Sequence, residues 1–149
     1  MKTLEEILAD WAEDCKISGM HLDETSRLTP ILHAKYLELL SNYKLMLKRA
    51  EFKQKELLKD KWLYYEGKMS QEDIDERGWS YDPYNGLNIR TKQEKEYYYG
   101  SDMDIQKSEE KIEYYKTVIE TLTEIIDTLR WRHQTIGNMI KWRQFESGN

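Results

Sequence analysis

A chain of 149 residues with 34% charged and 39% hydrophobic side chains, two prolines and seven glycines has the composition of long amphipathic helices, not of a thick globular core. Aromatic residues at 12% exclude simple disorder, which is aromatic-poor. The net charge of −5 hides an uneven distribution. Residues 35–65 carry eight basic and four acidic side chains (+4), against −4 over 1–34, −5 over 66–104 and zero over 105–149. A local basic excess of this kind is the electrostatic footprint of a surface that meets anions. The lone Cys15 makes no disulfide within the chain, and no Cys/His spacing resembles a zinc site. With no apolar run of membrane-spanning length and no signal peptide, a soluble intracellular protein is expected.

Thr3 and Glu6 form a capping-box pattern ahead of Leu4, Ile7, Leu8 and Trp11, which predicts a short first helix fraying near Ser18-Gly19. Residues 1–28 make up this helix and its connection. Thr29-Pro30 reads as N-cap and first helical position of a second helix that meets no proline or glycine before Gly67, a suitable C′ residue. At 1.5 Å per residue this helix is on the order of 55 Å long. It carries two stripes. Tyr36, Leu40, Tyr43, Leu47, Ala50, Gln54, Leu57, Lys61 and Tyr64 recur at 4-3 spacing, and only Gln54 and Lys61 break their apolar character. Beside them Lys48, Phe52, Lys55, Lys59 and Trp62 interleave cations and aromatics. Lysines neutralise phosphates and aromatic faces stack bases of any identity, so this second stripe, with Lys61 and Tyr65, is the candidate single-stranded-DNA surface. The bland alternative is that the aromatics finish a core while the lysines are solvated.

Residues 68–104 lose the helical period. Gly78, Asp82-Pro83, Asn85-Gly86 and Gly100 are turn signals, and Asn85-Gly86 between Tyr84 and Leu87 predicts a small hairpin. Trp79, Tyr81, Tyr84 and Tyr97-Tyr98-Tyr99 imply that this acidic insertion docks on something. From near Ile105 a last helix runs almost to the end. Ile112, Ile119, Ile126, His133 and Ile140 fall at one heptad position and Tyr115, Leu122, Leu129 and Ile136 at the other, widened by Val118, Ile125 and Met139. So wide a seam predicts subunit contacts, with His133 inside it.

Nothing in the chain looks catalytic. No phosphate-binding GxxxxGK[ST] loop is present, and His21, His33 and His133 are dispersed. Asp102-Met103-Asp104 offers too few oxygen ligands for a hard cation. No catalytic residue, metal site or cofactor is expected.

Two blocks carry a family resemblance. One is Lys35-Tyr36-Leu37, then Arg49-Ala50-Glu51, then Leu58-Lys59-Asp60-Lys61-Trp62-Leu63-Tyr64-Tyr65-Glu66-Gly67; the other is the ending Arg143-Gln144-Phe145-Glu146-Ser147-Gly148. Together they cover about half the chain and resemble the UvsY family of recombination mediators of large tailed phages, whose pattern is Leu-Lys-x-basic-x-x-Tyr-Tyr-x-Gly with an Arg-x-Phe-Glu-x-Gly ending. Asp60 departs by placing an acid between the basic positions. The resemblance implies a non-enzymatic protein that forms a closed ring, hexameric or heptameric, and binds single-stranded DNA. It also implies partners, a phage single-strand-binding protein and a phage recombinase, in the cytoplasm of the infected bacterial host. It makes Lys59 and Lys61 a phosphate-binding pair and the C-terminal helix the oligomerisation element, in agreement with the heptad reading, which puts Ile112, Tyr115, Ile119, Leu122, Ile126, Leu129, Ile136 and Ile140 at the subunit contacts. The expected fold is mainly α. Elongated helices form a hairpin or bundle with an irregular or small-β insertion, in one domain over 1–149 divided at 28, 67 and 104. The rival reading is a helical coiled-coil scaffold with no nucleic-acid role.

Overall fold

A computed structural model of the protein describes residues 1–148, in which five helices follow one another: α1 (Leu4–Asp14), α2 (Leu22–Tyr65), α3 (Gln71–Arg77), α4 (Lys92–Gly100) and α5 (Met103–Glu146). The described residues contain no β-strand. The chain packs as two compact units, one of residues 1–45 with 116–149 and one of residues 46–115.

In the first unit the Thr3–Glu6 capping box forms and α1 follows it, with Glu5 and Glu6 complementing the positive end of the helix dipole. The helix ends at Asp14, before the expected fray at Ser18-Gly19. A cation takes the carbonyl at its end and one just beyond it: Arg132 donates to Asp14 O at 3.0 Å and to Lys16 O at 2.9 Å. Lys35 Nζ (2.6 Å) and Tyr36 OH (2.7 Å) donate to the Asp14 carboxylate and tie α1 to α2. Trp11 meets the buried Tyr36 ring edge-on, centroids 5.6 Å apart.

The expected start of the second helix at Thr29-Pro30 is corrected. α2 begins at Leu22, His21 O accepts the Thr25 N–H at 3.0 Å, and Pro30 lies inside the helix. An internal proline forfeits one hydrogen bond and costs about 3 kcal/mol. The turns before it persist because Leu22 is buried, and Thr29 Oγ1 donates back to Thr25 O at 2.9 Å.

The seam of α5 departs from the expected one towards the C-terminal end. From residue 112 onward the buried positions are Ile112, Tyr115, Val118, Leu122, Ile125, Ile126, Leu129, Arg132 and Ile136, while His133 and Ile140 are exposed and Ile119 is half-buried. Val118 and Ile125, read as widening the seam, are central to it. His133 therefore lies outside the core, and Arg132 takes the buried position beside it because its fork caps α1. Ile112, Tyr115, Leu122, Ile126, Leu129 and Ile136 are all buried by the chain's own residues. The expectation that they need a second subunit to bury them is corrected, and of the eight named positions only Ile140, at 42%, is exposed.

In the second unit α2 ends where Gly67 adopts φ 70°. Lys68 N–H donates to Leu63 O (2.8 Å) and Gly67 N–H to Tyr64 O (3.2 Å), the paired bonds of a Schellman cap. The predicted hairpin does not form. Asn85 and Gly86 both have positive φ, but Asp82 accepts the Tyr84 and Gly86 N–H groups and closes a turn on itself. The insertion instead builds α3, capped by Ser70, and α4, opened by a Thr91–Glu94 capping box. It docks on the end of α2 through tyrosine hydroxyls: Tyr64 donates to Ser80 O, Tyr84 to Tyr65 O (2.6 Å) and Tyr99 to Leu58 O (3.3 Å). Arg77 pairs with Asp60 and Lys95 with Glu66, both at 3.0 Å.

Candidate nucleic-acid interface

The candidate surface lies on residues 46–65 of α2, where the two stripes read from the sequence lie on different faces. Lys48, Phe52, Lys55, Lys59 and Trp62 are all exposed, Phe52 at 54% and Trp62 at 48%. Lys48 Nζ and Lys55 Nζ lie 5.5 and 5.8 Å from the Phe52 ring centroid, and Lys68 Nζ lies 4.8 Å from that of Trp62. The pairing keeps two apolar rings in water flanked by ammonium groups, an arrangement that can meet alternating bases and phosphates.

Lys61 does not join them. It is 4% exposed, pairs with Asp102 and Asp104 at 3.0 Å each, and stands 3.8 Å from the Trp79 ring centroid. Its assignment to a phosphate-binding pair is corrected. Lys61 falls on the 4-3 stripe with Ala50 and Tyr64, and that stripe is the one that turns inward. A buried ammonium needs a carboxylate. Asp102 supplies one and also caps α5, its Oδ1 accepting the N–H groups of Asp104 (3.0 Å) and Ile105 (3.1 Å). Tyr65 OH donates to the same carboxylate at 2.6 Å, which leaves only the half-buried ring of Tyr65 to meet a ligand.

Burial by itself raises the Asp102 pKa. The hydrogen bonds from Tyr65, Ile105 N–H and Lys61, with the Lys61 charge, outweigh it, so the carboxyl titrates below its ordinary value. Tyr65 is pushed well above the usual phenol range, by burial first and then by its bond to Asp102.

The structure adds a feature that sequence reasoning passed over. Arg49 and Lys53 from α2 and Lys111 from α5 surround a cavity of about 170 Å³ floored by Met46, Ala50 and Tyr115. Its charged lining is entirely cationic, and all three basic side chains are exposed. The i, i+4 spacing of Arg49 and Lys53 is visible in the sequence. Lys111, 58 residues further along, is brought there only by the fold. Among the described residues no group of three or more His, Cys, Asp or Glu is placed to hold a metal ion, and no helix is long and apolar enough to cross a membrane.

The chain belongs to a family of recombination and repair proteins. Residues 10–149 match the family described as recombination, repair and ssDNA binding protein UvsY, and the chain is a member of that UvsY family. Among solved structures it is similar to the bacteriophage T4 recombination mediator protein UvsY. In one lattice the TM-score is 0.81 at 22% identity, over 99% of both chains. In a second the TM-score is 0.78 at 21% identity, over 98% of this chain and 99% of the other. No curated protein sequence matches the chain.

Proposed function

We propose that the protein is a non-enzymatic recombination mediator that binds single-stranded DNA on the second unit. The observation that carries this reading is the exposed alternation Lys48, Phe52, Lys55, Lys59, Trp62 on a single helical stripe. Cations at this spacing offset backbone phosphates, and the rings between them stack bases whatever their identity. The cationic cleft of Arg49, Lys53 and Lys111 supplies the further phosphate site that Lys61 does not. One protomer offers few such sites, so affinity depends on coupling several copies in a ring. We assign the ring interface to the exposed apolar side chains late in α5, Trp131, Ile140, Trp142 and Phe145, in place of the buried seam. A strand held along such a ring is strained away from the phage single-strand-binding protein that coats it and presented to the phage recombinase for filament assembly. The setting is the cytoplasm of the infected host.

The test is a salt titration of oligo-dT binding by wild type and by the triple substitution of Lys48, Lys55 and Lys59 to Ala. The slope of log affinity against log salt is expected to fall by about 0.7 for each phosphate that is no longer neutralised. Unchanged affinity and slope would mean that the lysines are only solvated, and the scaffold reading would stand.

A further inference from the structure

Where α4 lies against the end of α2, a cavity of about 280 Å³ opens beside Trp62. Its walls are the rings of Trp62, Tyr65 and Tyr99. Two of these rings are fixed before any ligand arrives: Tyr65 by its bond to Asp102 and Tyr99 by its bond to Leu58 O, with their centroids 6.2 Å apart and their planes at 76°. The remaining lining is charged but balanced. Lys95 and Glu66 neutralise each other at 3.0 Å, and Lys92 and Glu96 contribute one charge of each sign. A site for a bare phosphate would carry an excess of cations, as the Arg49 cleft does. This one has none. Rigid aromatic walls, a volume at the small end for ligand sites and a rim of donors and acceptors suit a planar, uncharged heterocycle with polar edges.

We infer that this cavity takes one nucleobase, turned out of the strand that runs along Lys55, Lys59 and Trp62. The inference rests on the single-strand-binding reading and gives residues 92–99 of the insertion a part in it. Trp62, at the end of the basic stripe and on the cavity wall, is the point where the strand and the captured base meet. Because the walls are already in place, ordering them adds little cost to binding.

The experiment compares a dT oligonucleotide with an abasic backbone of the same length, and follows emission of 2-aminopurine placed in the oligonucleotide. Wild type is expected to prefer the base-bearing strand by about 5- to 150-fold and to quench the 2-aminopurine. Tyr99→Ala removes a wall; it should lower that preference to what stacking along the stripe supplies and weaken the quenching, while keeping its affinity for the abasic strand. Tyr99→Phe keeps the ring and should retain both. Circular dichroism reports whether Tyr99→Ala folds. If it does not, Glu96→Trp fills the cavity with a larger side chain from an exposed position and should have the same effect. Preference and quenching preserved in a folded Tyr99→Ala or Glu96→Trp would overturn the pocket and leave phosphate binding intact. Failure of wild type to bind either strand would remove the underlying reading, and the pocket with it.

Discussion

Lys59 and Lys61, two residues apart, are expected to respond oppositely to the same substitution. Lys59 is exposed, whereas Lys61 is enclosed between Asp102, Asp104 and the Trp79 ring. Removing one member of a buried ion pair costs about 3–5 kcal/mol, because the remaining charge stays desolvated. Asp104, half exposed, adds little to that figure, and the Asp102 pair dominates. For a chain of this size each kcal/mol shifts the melting temperature by about 2–4 °C, so Lys61→Ala should melt about 6–20 °C lower. Lys59→Ala should stay within about 0.5 kcal/mol of wild type. In oligo-dT titrations below the melting range the pattern reverses: Lys59→Ala flattens the salt dependence by about 0.7, and Lys61→Ala leaves the slope unchanged. Lys61→Met with Asp102→Asn, which removes both charges at similar volume, should recover much of the stability that Lys61→Ala alone forfeits. A Lys61→Ala protein that melts with wild type and flattens the salt slope as Lys59→Ala does would refute the buried placement and return Lys61 to the proposed DNA-binding stripe.

The acid dependence of stability follows from Asp102 and Asp14. In each, burial raises the pKa, and hydrogen bonds from a lysine and a tyrosine, among others, carry it below the ordinary value. A carboxyl lowered in the folded state stabilises it above its unfolded pKa of about 3.9 and loses that contribution as pH falls through the folded value. Urea midpoints should therefore hold steady from neutrality to about pH 5 and decline below, less steeply in Asp102→Asn. A flat profile down to about pH 3 would contradict the two sites. In the first unit Leu122 is 0% exposed, and Leu122→Ala should lower unfolding free energy by about 2–5 kcal/mol in chemical denaturation, as expected of a core residue. Loss of assembly with unchanged stability would put it at a subunit interface instead. If the proposed ring forms through the end of α5, Trp142→Glu with Phe145→Glu, both exposed there, should lower the mass seen by light scattering without changing the circular dichroism; an unchanged mass would contradict that proposed interface.

Much of the helical framework was legible because its signals are local. The Thr3–Glu6 capping box, the glycine that ends α2 and the heptad periodicity of α5 each act within a turn or two of backbone, where caps and spacing are decided. Pro30 shows the limit of such signals: Thr-Pro satisfies the rules for a helix start, yet burial of Leu22 upstream keeps the earlier turns helical. The fate of Lys61 was half legible. Its place on the 4-3 stripe pointed inward and its chemistry pointed outward, and only the arrival of Asp102, 41 residues later, supplied the counter-charge that lets it stay inside. The same holds for residues 68–104, whose tyrosines announce docking without an address; hydroxyl bonds to α2 carbonyls provide one and draw the segment into α3 and α4 instead of a hairpin. Where the seam of α5 departs from the expected positions, the outcome turned on a side chain that periodicity ranks as polar. Arg132 is buried because the carbonyls of Asp14, the last residue of α1, and of Lys16 just beyond it accept its fork, and His133 is left in water. Spacing along the chain determined which residues share a face. What each face meets depended on groups distant in sequence, since charge compensation and hydrogen-bond satisfaction are completed only when those groups are brought together.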